Sequence, residues 1–160
     1  MKIGIYPGSF DPITLGHLDI IERGRKLFDK LYVVLPNNTS KNATFTIEER
    51  IVLLKEVCKD MDNVEIACTD VLTVEFAKSI GAKFMLRGLR AMSDFEYELQ
   101  LNTFNKVLAE EIETIFIMSA NEYSFLSSSR VKEVALFKGD VSKFVPKVVE
   151  TALIEKYNNR

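Results

Sequence analysis

Residues 1–17 read MKIGIYPGSFDPITLGH, and the interpretation of the whole chain turns on how that stretch breaks. Ile3, Ile5 and Tyr6 make a short apolar run with the character of a buried strand. Pro7, Gly8, Ser9, Asp11 and Pro12 stop it. Thr14-Leu15-Gly16-His17 then opens an amphipathic helix. A strand, a Gly/Pro/Ser turn and a helix N-terminus are the parts of a phosphate site. The N–H groups of such a turn lack internal partners, and the helix dipole adds to their pull on an anion. His17, the only histidine of the chain, falls in or near that first helical turn.

Outward from this stretch, strand-like and helix-like runs alternate to the end. Leu31 to Leu35 is a second strand, stopped by Pro36-Asn37-Asn38. Thr46 and Glu49 have capping-box spacing and start a helix that runs to about Met61. Val64–Cys68 reads as the third strand, and Val71–Ile80 as a short helix closed by Gly81. Lys83–Leu86 is the fourth strand. Ser93 and Glu96 suggest another capping box, before a helix whose Tyr97, Leu101, Phe104 and Leu108 share one face. Thr114–Met118 is the fifth strand. Ser127 to about Phe137 is a helix ended near Gly139, and Pro146 suits the first position of a last helix to about Tyr157. Strands separated by helices pair in parallel through right-handed crossovers. The expected fold is α/β: a single-domain, Rossmann-like, doubly wound five-stranded parallel sheet with C-terminal helices, spanning residues 1–160.

The bulk composition agrees. Apolar residues make up 47% and charged residues 28%, enough for a core and too balanced for global disorder. A net charge of −2 argues against general affinity for nucleic acid or anionic lipid, so any anion site must be a local cluster of cations. Cys58 and Cys68 lack zinc-ligand spacing and are expected as two buried thiols in a reducing cytosol. No apolar run approaches membrane-spanning length and no signal peptide is visible, so a cytoplasmic protein is expected.

In such a sheet, ligands bind beyond the carboxyl ends of the strands, where strand order reverses. The chemistry-bearing residues fall there. Gly8, Ser9, Phe10 and His17 follow strand one, Lys41 strand two, and Asp70 and Thr73 strand three. Arg87, Gly88 and Arg90 follow strand four, and residues 122–129, EYSFLSSS, follow strand five. Each has an ordinary alternative. Arg87 and Arg90 could be surface ion pairs with Asp94 or Glu98, His17 could be a helix-end residue bonded to a backbone carbonyl, and Ser127-Ser128-Ser129 could be no more than a cap. Their common placement on one rim carries the argument, and cations with hydroxyls and free amides suit a polyphosphate. No G-x-x-x-x-G-K-[ST], no G-x-G-x-x-G after strand one and no G-x-S-x-G occurs, which excludes a P-loop NTPase, a dinucleotide dehydrogenase and an elbow-type hydrolase. No protein cage for a metal is apparent.

Gly8-Ser9-Phe10-Asp11-Pro12 followed by Thr14-Leu15-Gly16-His17 resembles the nucleotidyltransferase superfamily with the H-x-G-H signature, here in its T-x-G-H form. Arg87-Gly88-Leu89-Arg90, Asp94-Phe95-Glu96-Tyr97-Glu98 and Tyr123 to Ser129 narrow the resemblance to the bacterial phosphopantetheine adenylyltransferases, over essentially the full length. That resemblance implies transfer of the adenylyl group of ATP to 4′-phosphopantetheine, giving dephospho-coenzyme A and pyrophosphate, with Mg²⁺ arriving on the nucleotide. It implies that His17 stabilises the transition state. It puts Ser9, Lys41, Thr73 and Arg87 on the acceptor. The ATP contacts would come from Ser9, Phe10, His17, Gly88, Leu89, Arg90, Glu98, Tyr123, Ser124, Phe125, Leu126, Ser127, Ser128 and Ser129. It further implies a homo-oligomer, a hexamer built as a dimer of trimers, and feedback by coenzyme A. Two rivals stand beside it. One is a sister enzyme acting on nicotinamide mononucleotide or glycerol phosphate, whose relatives usually keep the first histidine that Thr14 replaces. The other is a nucleotide sensor without catalysis.

Overall fold

The computed structural model describes residues 1–37 and 42–159, with the backbone alone at Ser93. Five strands form one parallel sheet: β1 (Ile3–Pro7), β2 (Lys30–Pro36), β3 (Val64–Thr69), β4 (Phe84–Leu89) and β5 (Glu113–Met118), in the order β3-β2-β1-β4-β5. The helices are α1 (Leu15–Gly24), α2 (Ile47–Val57), α3 (Thr73–Ser79), α4 (Met92–Leu108), α5 (Ser128–Leu136) and α6 (Lys147–Asn158). This is the expected Rossmann-like order. The chain leaves β1 toward β2 and later returns to the other side of β1 as β4, so the crevice opens at the ends of β1 and β4.

The strands are apolar on both sides because helices cover both. Side chains alternate across the sheet. Tyr6, Val33, Leu35 and Leu86 join the larger core with Ile20, Ile21, Leu54, Val131 and Leu153. Ile5, Val34 and Met85 point the other way, into a smaller core with Val74, Ala77 and Ile112. The Thr46–Glu49 capping box forms as its spacing predicts, and Cys58 caps the end of α2, earlier than the expected Met61. No helix among the described residues is long and apolar enough to cross a membrane.

Several local expectations are corrected. Strand β4 runs on through Leu89, because Arg87, Gly88 and Leu89 pair with Phe116, Ile117 and Met118 of β5; Arg87 and Gly88 therefore lie in the strand, and Arg90 directly follows it. Helix α4 begins at Met92 with Ala91 as its N-cap, so Ser93 sits inside the helix and no Ser93–Glu96 capping box starts it. Pro146 is an extended N-cap of α6, one residue before the expected position. The four residues expected on one face of α4 differ in exposure: Leu101 is half-buried, while Tyr97, Phe104 and Leu108 are 65%, 65% and 39% exposed. The inward side of the helix carries the buried Glu98. Cys58 is buried, but Cys68 is exposed, because β3 is an edge strand. Asn38 and Lys41 lie outside the described residues.

Candidate active site

A cavity of 580 Å³ opens at the ends of β1 and β4, a volume typical of small-ligand sites. Ser9, Phe10, His17, Arg87, Gly88, Arg90, Glu98, Tyr123, Leu126, Ser127, Ser128 and Ser129 all line it. The rim inferred from sequence is therefore one continuous wall. Leu89 is buried beside it and does not line it. Ser124 and Phe125 border a neighbouring shallow groove of 300 Å³, shared with Arg90, Asp94 and Arg130. Thr73, the first residue of α3, is not part of the cavity wall. Lys41 lies outside the described residues.

The turn after β1 is held in an unusual backbone. Phe10 has φ of 46°, in the left-handed region where side chains are uncommon. Its ring is buried, edge-on to Tyr6 at 5.4 Å and to His17 at 5.1 Å. Gly8 makes room for that ring, since a Cβ there would stand 2.9 Å from it. Strained positions of this kind persist where the surroundings over-determine them. Here the ring contacts on one side and the Arg50 guanidinium on the Ser9 carbonyl, at 2.9 Å, fix the turn.

His17 is the third residue of α1 and closes a reciprocal cap. Its N–H donates to the Thr14 hydroxyl, and its Nδ1 accepts the Thr14 N–H at 3.0 Å. An accepting Nδ1 puts the proton on Nε2, which points the donor at the cavity. Burial above all, then the positive charges of Arg90 and Arg87, lower its pKa to about 4. His17 is therefore a neutral donor at neutral pH and a member of the cavity wall; its helix-end partner is the Thr14 N–H and not the backbone carbonyl expected as the alternative.

The cations are mostly paired. Arg87 forms a two-pronged bond to Glu98, Nε to Oε2 at 2.7 Å and Nη2 to Oε1 at 2.6 Å, and its Nη1 donates to the Pro7 carbonyl. Arg90 bonds Asp94 and reaches the Leu126 carbonyl at 2.8 Å, which ties β4 to the segment before α5. The alternative read from sequence, ion pairs with Asp94 and Glu98, is thus realised inside the cavity wall. Ser127 caps α5 by accepting the Arg130 N–H, and the Ser128 hydroxyl donates to the Pro12 carbonyl, so the amino end of α5 is anchored on the first turn.

Several wall residues carry no role in the sequence reading, Asp11, Arg50, Lys132 and Ser119 among them. Asp11 is buried and bonds the N–H groups of Thr44 and Phe45 and the Lys132 ammonium. Burial pushes its carboxyl up, but the Phe45 and Thr44 N–H groups and Lys132 outweigh that and hold it low. Arg50 and Lys132 arrive from α2 and α5. Ser119 has a buried hydroxyl with no partner, at the end of β5. Asp11 was in plain view within the first motif; the other three have no local signal.

With this geometry in place, comparison with known proteins separates the candidates. Residues 5–134 match the cytidylyltransferase-like family model. A phosphopantetheine adenylyltransferase of Lachnoclostridium phytofermentans is 56% identical over 160 residues, covering all of this chain and 98% of the relative. The chain belongs to the phosphopantetheine adenylyltransferase family. A second member, from Alkaliphilus metalliredigens, is 51% identical over 156 residues, 98% of this chain and 99% of that one. The chain is thus a nucleotidyltransferase, as its T-x-G-H motif implies. A crystal structure from Vibrio parahaemolyticus, described as a candidate nicotinate-nucleotide adenylyltransferase, superposes with a TM-score of 0.76. It covers 100% of this chain and 98% of its own at 20% identity, which speaks to the fold alone.

The depressed pKa of His17 has a consequence for stability. The unfolded chain takes up the imidazole proton near pH 6.5, the folded chain only near 4. Above 6.5 neither state is protonated there and no penalty exists. As pH falls from 6.5 toward 4, the unfolded state binds more protons and gains on the folded one. Ligand-free wild type is expected to lose stability across that window with a steeper slope than His17→Gln, measured by urea unfolding at a series of pH values. Parallel slopes would show that His17 is not buried as a neutral base.

Proposed function

We propose that the chain transfers the adenylyl group of ATP to the phosphate of 4′-phosphopantetheine, releasing pyrophosphate and forming dephospho-coenzyme A. One observation carries the site assignment. A neutral donor, an arginine-rich wall and the amino end of a helix meet in one cavity at the strand-order reversal. The 51–56% identity to named family members supports the acceptor.

The chemistry needs no covalent intermediate. A phosphate oxygen of the acceptor attacks the α-phosphorus in line; the new O–P bond forms as the bond to the β-phosphate oxygen breaks and pyrophosphate leaves. The nucleophile is already an anion at neutral pH, so no strong base is required. What the protein supplies is position and charge neutralisation. His17 Nε2 donates to the α-phosphate as charge builds. The Ser9–Phe10 turn sits at the junction of the two substrates. Lys41, Thr73 and Arg87 serve the acceptor. Residues 88–90, Glu98 and residues 123–129 serve ATP. Arg87 and Glu98, bonded to each other without ligand, would exchange part of that bond for substrate. In this reading Mg²⁺ arrives with the nucleotide as part of the substrate and keeps much of its water.

The exposed apolar face of α4, with Phe104 and Val107 at 65% and 83%, supports a homo-oligomer, and the family resemblance supports a hexamer. Feedback by coenzyme A at the same cavity and a cytoplasmic location complete the reading. The test is pyrophosphate release from MgATP with 4′-phosphopantetheine in one well and nicotinamide mononucleotide in another. Turnover is expected in the first alone. Turnover only in the second would overturn the acceptor, and ATP binding without turnover in either would favour a sensor.

A further inference from the structure

Among the described residues four cationic side chains line the cavity: Arg50, Arg87, Arg90 and Lys132. Three have a carboxylate of their own, Glu98 for Arg87, Asp94 for Arg90 and Asp11 for Lys132. Arg50 has none among the described residues. It is also the most enclosed, at 7% exposure. A guanidinium stays charged at any working pH, and a buried charge without a counter-charge is costly. Two carbonyls offset part of that cost: Ser9 accepts from Nη1 at 2.9 Å and Thr46 from Nε at 3.3 Å. Nη2 has no partner. Yet among the described residues the only buried side-chain nitrogen or oxygen without a bond is the Ser119 hydroxyl. Nη2 is therefore open to the cavity that Arg50 lines. A planar fork with one arm fixed and one arm free, and a charge still to be balanced, is a preorganised anion contact.

We propose that Arg50 is a further substrate-binding residue of this enzyme, with Nη1 holding the Ser9 carbonyl and Nη2 contacting the phosphate of the acceptor. The side of the cavity decides which substrate it serves. Arg50 comes from α2, the crossover between β2 and β3, and stands with Ser9, Asn42 and Ala43. Gly88, Ser119 and Tyr123 stand at the β4–β5 side. With ATP assigned to Gly88 and Tyr123 on that other side, in-line attack from opposite the pyrophosphate assigns the acceptor phosphate to the Arg50 side. Arg50 thereby links the shape of the catalytic turn to occupancy of the acceptor site. This inference rests on the adenylyl transfer proposed above.

Arg50→Gln keeps a donor for the Ser9 carbonyl and removes the charge; Arg50→Lys keeps the charge without the fork. With Arg50→Gln the KM for 4′-phosphopantetheine is expected to rise tenfold or more while that for ATP stays within twofold. Competitive inhibition by unphosphorylated pantetheine should be unchanged, because it lacks the phosphate. Arg50→Lys should fall between wild type and Arg50→Gln. Stabilisation of the ligand-free enzyme by inorganic phosphate, read as a thermal shift, should weaken at least tenfold in apparent affinity in Arg50→Gln. A residue that only props the fold would move both KM values and the pantetheine inhibition together. An unchanged acceptor KM, a rise confined to ATP, or equal phosphate stabilisation in both proteins would each overturn the proposal. If wild type does not turn over phosphopantetheine but loses phosphate stabilisation in Arg50→Gln, the reaction assignment fails and the anion contact stands.

Discussion

His17→Ala is expected to lower kcat about 10²–10³-fold, the usual cost of removing one donor aimed at developing charge. Nδ1 accepts the Thr14 N–H, so the single ring proton is on Nε2. The ring is fixed by that bond and by the edge of Phe10, 5.1 Å away, so the donor pays no reorganisation in the transition state. A pKa of about 4 in the ligand-free enzyme keeps this donor neutral at working pH, so kcat/KM should show no inflection near 6.5 from this group. Alanine has a second effect, because it strands the N–H of the buried Thr14 and costs about 1 kcal/mol of the helix cap. His17→Gln separates the two. Glutamine at the third helical position can reach back to the cap N–H, so stability should recover while the rate does not. Steady-state kinetics and thermal unfolding of both variants decide the matter. A kcat within about tenfold of wild type in either variant would remove His17 from the chemistry.

How far the sequence reveals this site depends on how local each signal is. The first seventeen residues are legible because strand, breakers and helix start follow one another directly, and each has a compositional mark. The crevice follows from the βαβ alternation, which dictates parallel pairing and hence the rim. The α4 face shows the limit. Periodicity reports that Tyr97, Phe104 and Leu108 lie on one side, not what covers that side, and the structure leaves these three exposed. Arg50 shows it again. Nothing local in EERIVLLK marks it, and only its approach to Ser9, 41 residues earlier, makes it a wall of the site. For Arg87, within β4, and Arg90, just after it, the sequence offers a ligand and a carboxylate alike. Only the fold decides between them, and without ligand each holds a carboxylate.

Asp11→Ala should be the most destabilising single change in the site, by about 3–5 kcal/mol. Asp11 is 6% exposed and binds three donors from two distant parts of the chain. Oδ1 accepts the Phe45 N–H at 2.8 Å; Oδ2 accepts the Thr44 N–H at 2.9 Å and the Lys132 ammonium at 3.0 Å. Alanine leaves two buried N–H groups without acceptors and one partly buried ammonium without its counter-charge. For a chain of this size that is a fall in Tm of roughly 6–20 °C. Asparagine should not rescue it, since one of its two terminal groups is a donor facing donors. Removing the opposing charge as well, in Asp11→Ala with Lys132→Met, should recover part of the loss, and the difference measures the pair. The pH sign is set by the depressed carboxyl. Its stabilisation is complete above the unfolded value of 3.8 and is lost as pH falls through the lower folded value, so acid unfolding of Asp11→Ala should lack that step. Because the carboxylate ties the first turn to the segment entering α2 and to α5, the same variant should also lower kcat/KM for both substrates. A Tm within about 2 °C of wild type would mean that water replaces the carboxylate and that the tie is dispensable.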